Sequence, residues 1–267
     1  MAGATGDFAP KFWGEKSFVL ITGGSRGIGR AIAVEFAKKL AKGSVVVITG
    51  RNAAGLRGTN QMIESCSADI KVVTEVCDHS TATYNDYEEL IARTSKFIEQ
   101  PDKAILVHNV ATLGDVSMYT ALYNDAKMIG DYLHLNLTSI MLLTSAFLKH
   151  YNADCKISRS IINITSLAGR KAFPGLGLYS SGKAAREMYL NVLAVENPTV
   201  QVLHYSPGPV NTDMQDELRK GVQELTSVLQ GFHDNILAPE TTVAKLVDIL
   251  DKGDFDSGAC IDYFDRL

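Results

Sequence analysis

The sequence predicts a single doubly wound α/β domain, with a central parallel sheet of about seven strands and helices on both faces. Three observations predict it. Strand-like and helix-like segments alternate from end to end, the strand-like segments are short and apolar with many β-branched residues, and a glycine-rich turn joins the first strand to the first helix. Apolar strands without polar alternation belong to a sheet buried on both faces, and parallel neighbours need helical crossovers between them.

The elements follow in order. Ser17–Ile21 is a short apolar strand that runs into Thr22-Gly23-Gly24-Ser25-Arg26-Gly27-Ile28-Gly29 and a helix through Ala31–Leu40. Val45–Thr49 is a β-branched run, followed by a weaker helix from about Asn52 to Cys66. Ile70–Val76 and Ala104–Val107 read as the third and fourth strands, separated by a helix over Tyr84–Ile98. One long helical region covers Ala126–His150. Ser160–Ile164 precedes a helix that begins at Tyr179, and Val200–His204 precedes a Ser206-Pro207-Gly208-Pro209 turn. Helix-prone sequence then runs to about Asp251, and Ala259–Phe264 forms a last strand. No repeat or proline-rich linker divides the chain, so residues 15–267 read as one domain. Residues 1–14 read as a flexible leader, and about 210–235 as a flap over the ligand edge, because they interrupt the alternation there.

With 267 residues the chain can bury a sizeable core. A hydrophobic content of 46%, a charged content of 21% and a net charge of −4 suit a soluble globular protein and give no footprint for nucleic acid or an anionic membrane. The first residues lack the apolar core of a signal peptide, and no apolar run approaches the ~20 residues a bilayer requires. Cys66, Cys77, Cys155 and Cys260 are scattered, as reduced cytoplasmic thiols would be. The six histidines show no zinc-binding spacing, the serine-hydrolase elbow is missing, and Asp254 and Asp256 do not complete a calcium loop, so no metal is expected.

The glycine turn has the context a nucleotide site requires: it follows a strand, opens a helix and starts a βαβ pattern. Its backbone N–H groups can approach a pyrophosphate, with the positive end of the helix aimed at the charge, which makes Gly23, Gly24, Ser25, Arg26, Gly27, Ile28 and Gly29 the expected cradle. The second strand ends in Thr49-Gly50-Arg51-Asn52, without the acid that would accept bonds from a ribose 2′-hydroxyl. A guanidinium there can grip a 2′-phosphate, so Arg51, assisted by Arg26 and flanked by Asn52, argues for NADP(H). Asp78, with His79 beside it, follows the third strand and is placed for the adenine, and Asn109 follows the fourth and lines the cleft.

The chemical end is a spacing. Ser166 lies thirteen residues before Tyr179, and Lys183 follows four residues after it. Residues four apart share a helix face, so the Lys183 ammonium can lie near the phenol. Ser166 falls at the carboxyl end of a buried strand, where ligands bind in open α/β sheets. Tyr123 and Lys127 repeat the spacing without such a strand or serine. Hydride transfer to a carbonyl leaves charge on oxygen, and Tyr179 is the expected acid. A phenol of ordinary pKa, about 10, needs nearby positive charge, which Lys183 and the nicotinamide of NADP⁺ are together expected to supply, Lys183 also holding the nicotinamide ribose. Ser166 would donate to the substrate oxygen, and Asn136 would hold a water that passes protons to Lys183.

These residues, with the Pro207-Gly208 turn in the expected order, resemble the short-chain dehydrogenase/reductase family over nearly the whole chain, which implies a Rossmann-type fold. One departure is His108-Asn109-Val110-Ala111, where the family usually has Asn-Asn-Ala-Gly. Leu113–Ser117, Ser206–Gln215 and the tail Asp256–Asp265 resemble a branch that uses NADPH to reduce side-chain carbonyls of a pterin, in the last steps to tetrahydrobiopterin. The resemblance implies a homodimer, a pterin anchored by Asp262 (with Asp265 as the alternative), substrate contacts at Leu167 and Gly208, and a nicotinamide covered by Val210, Asn211, Thr212, Asp213, Met214 and Gln215. Another carbonyl reductase of the family, acting on dicarbonyls, quinones or steroids, is the nearer alternative, and a non-catalytic NADP(H)-binding sensor the more distant one.

Overall fold

The computed structural model describes residues 12–230 and 236–266. Among them the strands are β1 (Ser17–Thr22), β2 (Val45–Gly50), β3 (Lys71–Val76), β4 (Lys103–His108), β5 (Ser158–Ile164), β6 (Val200–Ser206) and β7 (Ala259–Asp262). They form one sheet in the order β3-β2-β1-β4-β5-β6-β7, with every pairing parallel. Consecutive side chains on a strand point to opposite faces, and both faces are apolar here. From β1, Val19 and Ile21 pack with Ile32 and Phe36 of α1 (Gly27–Ala37) and Leu246 of α9 (Pro239–Lys252). Phe18 and Leu20 pack on the other face with Tyr87 of α3 (Tyr84–Thr94) and Phe147 of α5 (Ser139–His150). The edge strands are less covered: β3 mixes exposed with partly buried residues, and β7 is partly buried throughout. The crossover from β2 to β3 is α2 (Ala53–Cys66), started by the Asn52 side chain, which accepts from the Gly55 N–H at 2.9 Å.

The long helical region expected over 126–150 runs without interruption, α4 (Ala126–Leu133) passing into α5 through a π-helical turn at His134–Thr138. The extra residue in that turn places Asn136 where its amide accepts from the Thr112 N–H at 3.0 Å and donates to the Tyr132 carbonyl at 3.0 Å. One expectation changes: the expected leader 1–14 is too long. Residues 1–11 lie outside the described residues, but Phe12 and Trp13 are buried. The Trp13 ring meets Phe36 edge-on at 4.9 Å, and the Phe12 carbonyl accepts from Lys103 Nζ at 2.6 Å. Two adjacent aromatics carry no periodicity, so their burial over α1 leaves no trace in the sequence pattern.

The segment expected as a flap carries α7 (Asp213–Leu218) and α8 (Gln223–Gln230), and its residues 231–235 lie outside the described residues. Leu225 packs with Leu113, Val116 and Leu176, and the Val222 N–H donates to the Val116 carbonyl at 3.0 Å. The segment therefore roofs the carboxyl edge of the sheet.

Two buried histidines give the fold a pH limit. His79 bonds Thr49 and Tyr87, each at 2.9 Å, while the Asn163 amide donates to His204 Nδ1 at 3.0 Å and His204 Nε2 donates to Asn191 at 3.1 Å. Burial lowers both imidazoles to about 4, from 6.5. A histidine held neutral by the fold contributes fully above its unfolded pKa, and that contribution is lost as pH falls from 6.5 towards 4. At pH 5 each is expected to cost about 2 kcal/mol of stability relative to pH 7. Urea unfolding at the two values checks this, and equal midpoints would contradict neutral burial.

Candidate active site

Strand β1 is flanked by β2 on one side and β4 on the other, so the turns leaving β1 and β4 diverge and open a crevice at the carboxyl edge. The residues at that edge are tied together. Thr22 Oγ1 accepts from the N–H groups of Asn109 (2.9 Å) and Val110 (3.1 Å), and the Asn109 amide donates to the Thr22 carbonyl at 2.9 Å. Gly23 and Gly27 take φ of +73° and +54°, a region that side chains disfavour. A Cβ on Gly29 would lie 2.2 Å from the Gly23 carbonyl oxygen. The loop can therefore close on itself only with glycine there, which brings backbone N–H groups and the start of α1 to the crevice.

A cavity of about 1130 Å³ fills the crevice, large for a single small ligand and suited to a dinucleotide with a substrate beside it. Gly23, Ser25, Arg26, Gly27 and Ile28 line it, whereas Gly24 and Gly29 lie behind the loop, Gly24 against Ile48. Arg51, Asn52, Asp78, His79 and Asn109 line the same end, and Val210–Gln215 close it opposite. These residues differ in what they offer. Arg26 is ion-paired with Asp213 across the opening, so the assistance expected of it requires that pair to open. Asn52 is spent on capping α2 and the His79 ring on Thr49 and Tyr87. Asp78 accepts from the Ser80 N–H and hydroxyl at 3.0 and 2.7 Å, which, with Arg51 nearby, holds its carboxyl below the usual range. Arg51 is exposed at the end of β2. Arg51→Ala is expected to weaken NADPH by roughly 10- to 100-fold while barely changing NADH, because a charged hydrogen bond contributes about 1.5–3 kcal/mol. Fluorescence titration with both cofactors checks this, and equal losses would remove Arg51 from the 2′-phosphate.

At the other end, β5 delivers Ser166, and Tyr179 and Lys183 stand in the first turns of α6 (Gly177–Glu196). All three line the cavity. Ser166 Oγ accepts from the Ala168 N–H at 3.2 Å, and Lys183 Nζ donates to the Ile164 carbonyl at 2.7 Å and sits 5.5 Å from the centre of the Tyr179 ring. Tyr123 and Lys127 lie away from the cavity, Lys127 paired with Asp131 at 2.6 Å. Burial dominates the electrostatics of this end. Burial raises the Tyr179 phenol above its ordinary value, opposed by a hydrogen bond from Ser166 and by the charge of Arg186. Lys183, expected with the nicotinamide to supply positive charge to the phenol, is itself pushed well below its usual value by burial and by Arg186. Asn136 is buried, and its side-chain amide lies outside the cavity wall, engaged by the Thr112 N–H and the Tyr132 carbonyl.

Leu167, Gly208 and Asp262 border the substrate end. Gly208 has φ +71°, and a Cβ there would press on Phe264 at 3.2 Å. Asp262 accepts from the Ser206 hydroxyl and, at 3.1 Å, from the Phe264 N–H, while Asp265 lies outside the cavity wall and accepts from the Asp262 N–H at 2.8 Å. Of the two tail carboxylates, then, Asp262 faces the cavity and Asp265 holds it in place. Sequence reasoning missed the apolar wall here, Phe173, Leu176 and Leu225, which come from separate loops and share no spacing.

Among the described residues no cluster of His, Cys, Asp and Glu could hold a metal, and no helix is long and apolar enough to cross a membrane. Residues 17–223 match the family described as short chain dehydrogenase. The chain is 37% identical to the sepiapterin reductase of Mus musculus over 253 residues, covering 92% of this chain and 96% of that protein. It is 36% identical to the sepiapterin reductase of Meriones unguiculatus, with the same coverage. A short chain dehydrogenase of Escherichia coli CFT073, solved with NADPH, superimposes with a TM-score of 0.76 at 24% identity, over 96% of this chain and all of that one.

Proposed function

The chain belongs to the short chain dehydrogenase family, and from that premise we propose that it is an NADPH-dependent sepiapterin reductase, reducing the side-chain carbonyls of a pterin such as 6-pyruvoyl-tetrahydropterin or sepiapterin. The observation that carries this reading is the carboxylate of Asp262 facing the same cavity as Ser166 and Tyr179, in a chain 37% identical to a sepiapterin reductase. A pterin presents adjacent N–H and NH₂ donors, which one carboxylate accepts as a pair. Ser206 and the Phe264 N–H fix the orientation of that carboxylate before a ligand arrives.

NADPH, when bound, supplies the hydride. The glycine loop and Arg51 would hold its phosphates, Asp78 would serve the adenine end, and Val210–Gln215 would cover the nicotinamide. Ser166 donates to the carbonyl oxygen and holds it beside Tyr179, whose hydroxyl gives up its proton as negative charge develops there. The apolar wall of Phe173, Leu176 and Leu225 keeps water from that oxygen. A homodimer fits the same reading: Met188, Val192 and Val195 form an exposed apolar stripe along one face of α6, spaced for a second helix.

NADPH consumption with sepiapterin, beside a small diketone at equal concentration, tests the assignment. Strong preference for sepiapterin is the expected result; turnover of the diketone alone would reassign the protein as a general carbonyl reductase.

A further inference from the structure

The tail that delivers Asp262 brings a second side chain to the cavity. After β7 the backbone is pinned at every step. The Tyr263 N–H donates to the Ser206 carbonyl at 2.8 Å, the Asp265 N–H to the Asp262 carbonyl at 3.0 Å, and the Asp262 N–H to the Asp265 carboxylate at 2.8 Å. Lys245 of α9 holds the same turn through the Asp265 carbonyl at 3.1 Å. The two aromatics here separate: Tyr263 packs against the core on the α1 and α9 face, whereas Phe264 lines the cavity with 58% of its surface exposed. Their rings meet edge-on at 5.0 Å. A bare ring on a pinned turn is a preformed apolar face on the wall of a ligand cavity.

The neighbouring strand ends complete a slot. In the sheet order β5-β6-β7, the chain leaving β5 carries Leu167, also exposed, the chain leaving β6 carries Gly208, and the chain leaving β7 carries Phe264. Gly208 is the gap between the two apolar side chains, since a Cβ there would press on the Phe264 ring at 3.2 Å and on Leu237 at 3.3 Å. Asp262 stands at the same end. Its Oδ1 accepts from the Phe264 N–H and its Oδ2 from the Ser206 hydroxyl, which leaves each oxygen a free lone-pair position for a ligand.

We propose that Phe264 is a specificity-determining residue: its ring stacks on the flat face of the heteroaromatic ring whose donors Asp262 accepts, with Leu167 across the slot and Gly208 leaving room between them. This rests on the pterin reading of the preceding section and deepens it. The two groups recognise different things. The carboxylate reads a pair of adjacent donors, and the ring reads an extended planar face. A small dicarbonyl offers neither. The bond that orients Asp262 comes from the backbone N–H of Phe264, so a change of side chain removes the face and keeps the anchor.

The test compares Phe264→Ala, Phe264→Leu and Phe264→Tyr with the parent, reading KM and kcat for sepiapterin and for a small diketone. The side chain is mostly exposed, so these variants lose little packing. Phe264→Ala is expected to raise the sepiapterin KM, relative to the diketone KM, by about 10- to 100-fold, as loss of one aromatic stacked on a base does. Phe264→Leu keeps an apolar side chain without the π-face and is expected to raise that ratio about three- to tenfold, with Phe264→Tyr within about twofold of the parent. The loss falls on KM because a contact remote from the reacting carbonyl acts alike on ground and transition states. A Phe264→Ala ratio within twofold of the parent would overturn the proposal, as would a fall in kcat for both substrates with KM unmoved, which would make the ring a brace for the tail. If the parent does not reduce sepiapterin at all, the function proposed above fails by itself, and equilibrium dialysis of unsubstituted pterin against the NADP⁺-loaded protein decides the role of Phe264. Binding to the parent that weakens about tenfold or more in Phe264→Ala supports it; no binding to the parent, or equal binding to both, overturns it.

Discussion

Tyr179→Phe is expected to lower turnover by about 10²- to 10⁴-fold, the usual contribution of a positioned acid, while NADPH affinity stays within about threefold. The ring remains to fill its place among Leu176, Leu225 and Ala168, so the substitution removes one hydroxyl and little packing. Ser166 keeps its bond from the Ala168 N–H. A binding site left intact with its chemistry removed is the signature sought. Stopped-flow measurement of hydride transfer, beside a titration of NADPH binding, checks it; a variant retaining a third of the parent rate would remove Tyr179 as the acid.

Asp262→Asn is expected to reduce kcat/KM for sepiapterin by roughly 10- to 100-fold relative to a small diketone, since hydrogen bonds to a charged group contribute about 1.5–3 kcal/mol. Asparagine keeps an oxygen for the Phe264 N–H, so the tail stays folded, but it replaces the second acceptor with a donor that faces the donors of the pterin. The diketone serves as the internal control because it has no such donors. A uniform loss with both substrates would mean that Asp262 only braces β6 through Ser206.

Some parts of this site are written in short-range pattern. The glycine turn, the strand before Ser166 and the four-residue step from Tyr179 to Lys183 each express local geometry: a positive φ, an apolar run, one turn of helix. The structure brings those residues into one cavity. Other parts depend on distant contacts. The π-helical turn at His134–Thr138 goes with Asn136 bonding Thr112, a contact across 24 residues. Phe12 and Trp13 are buried because Phe36 and Lys103 lie against them, and neither neighbour is visible from the amino end of the chain.

The sequence by itself determined the alternating α/β fold, the nucleotide loop and the order of Ser166, Tyr179 and Lys183, because each depends on residues close along the chain. Only the tertiary structure decided how deeply those groups are buried. Burial raises the Tyr179 phenol and lowers the Lys183 ammonium. Desolvation is a property of everything packed around a group, so the ionisation of Tyr179 is settled only once α4, α6, β4 and β5 have come together.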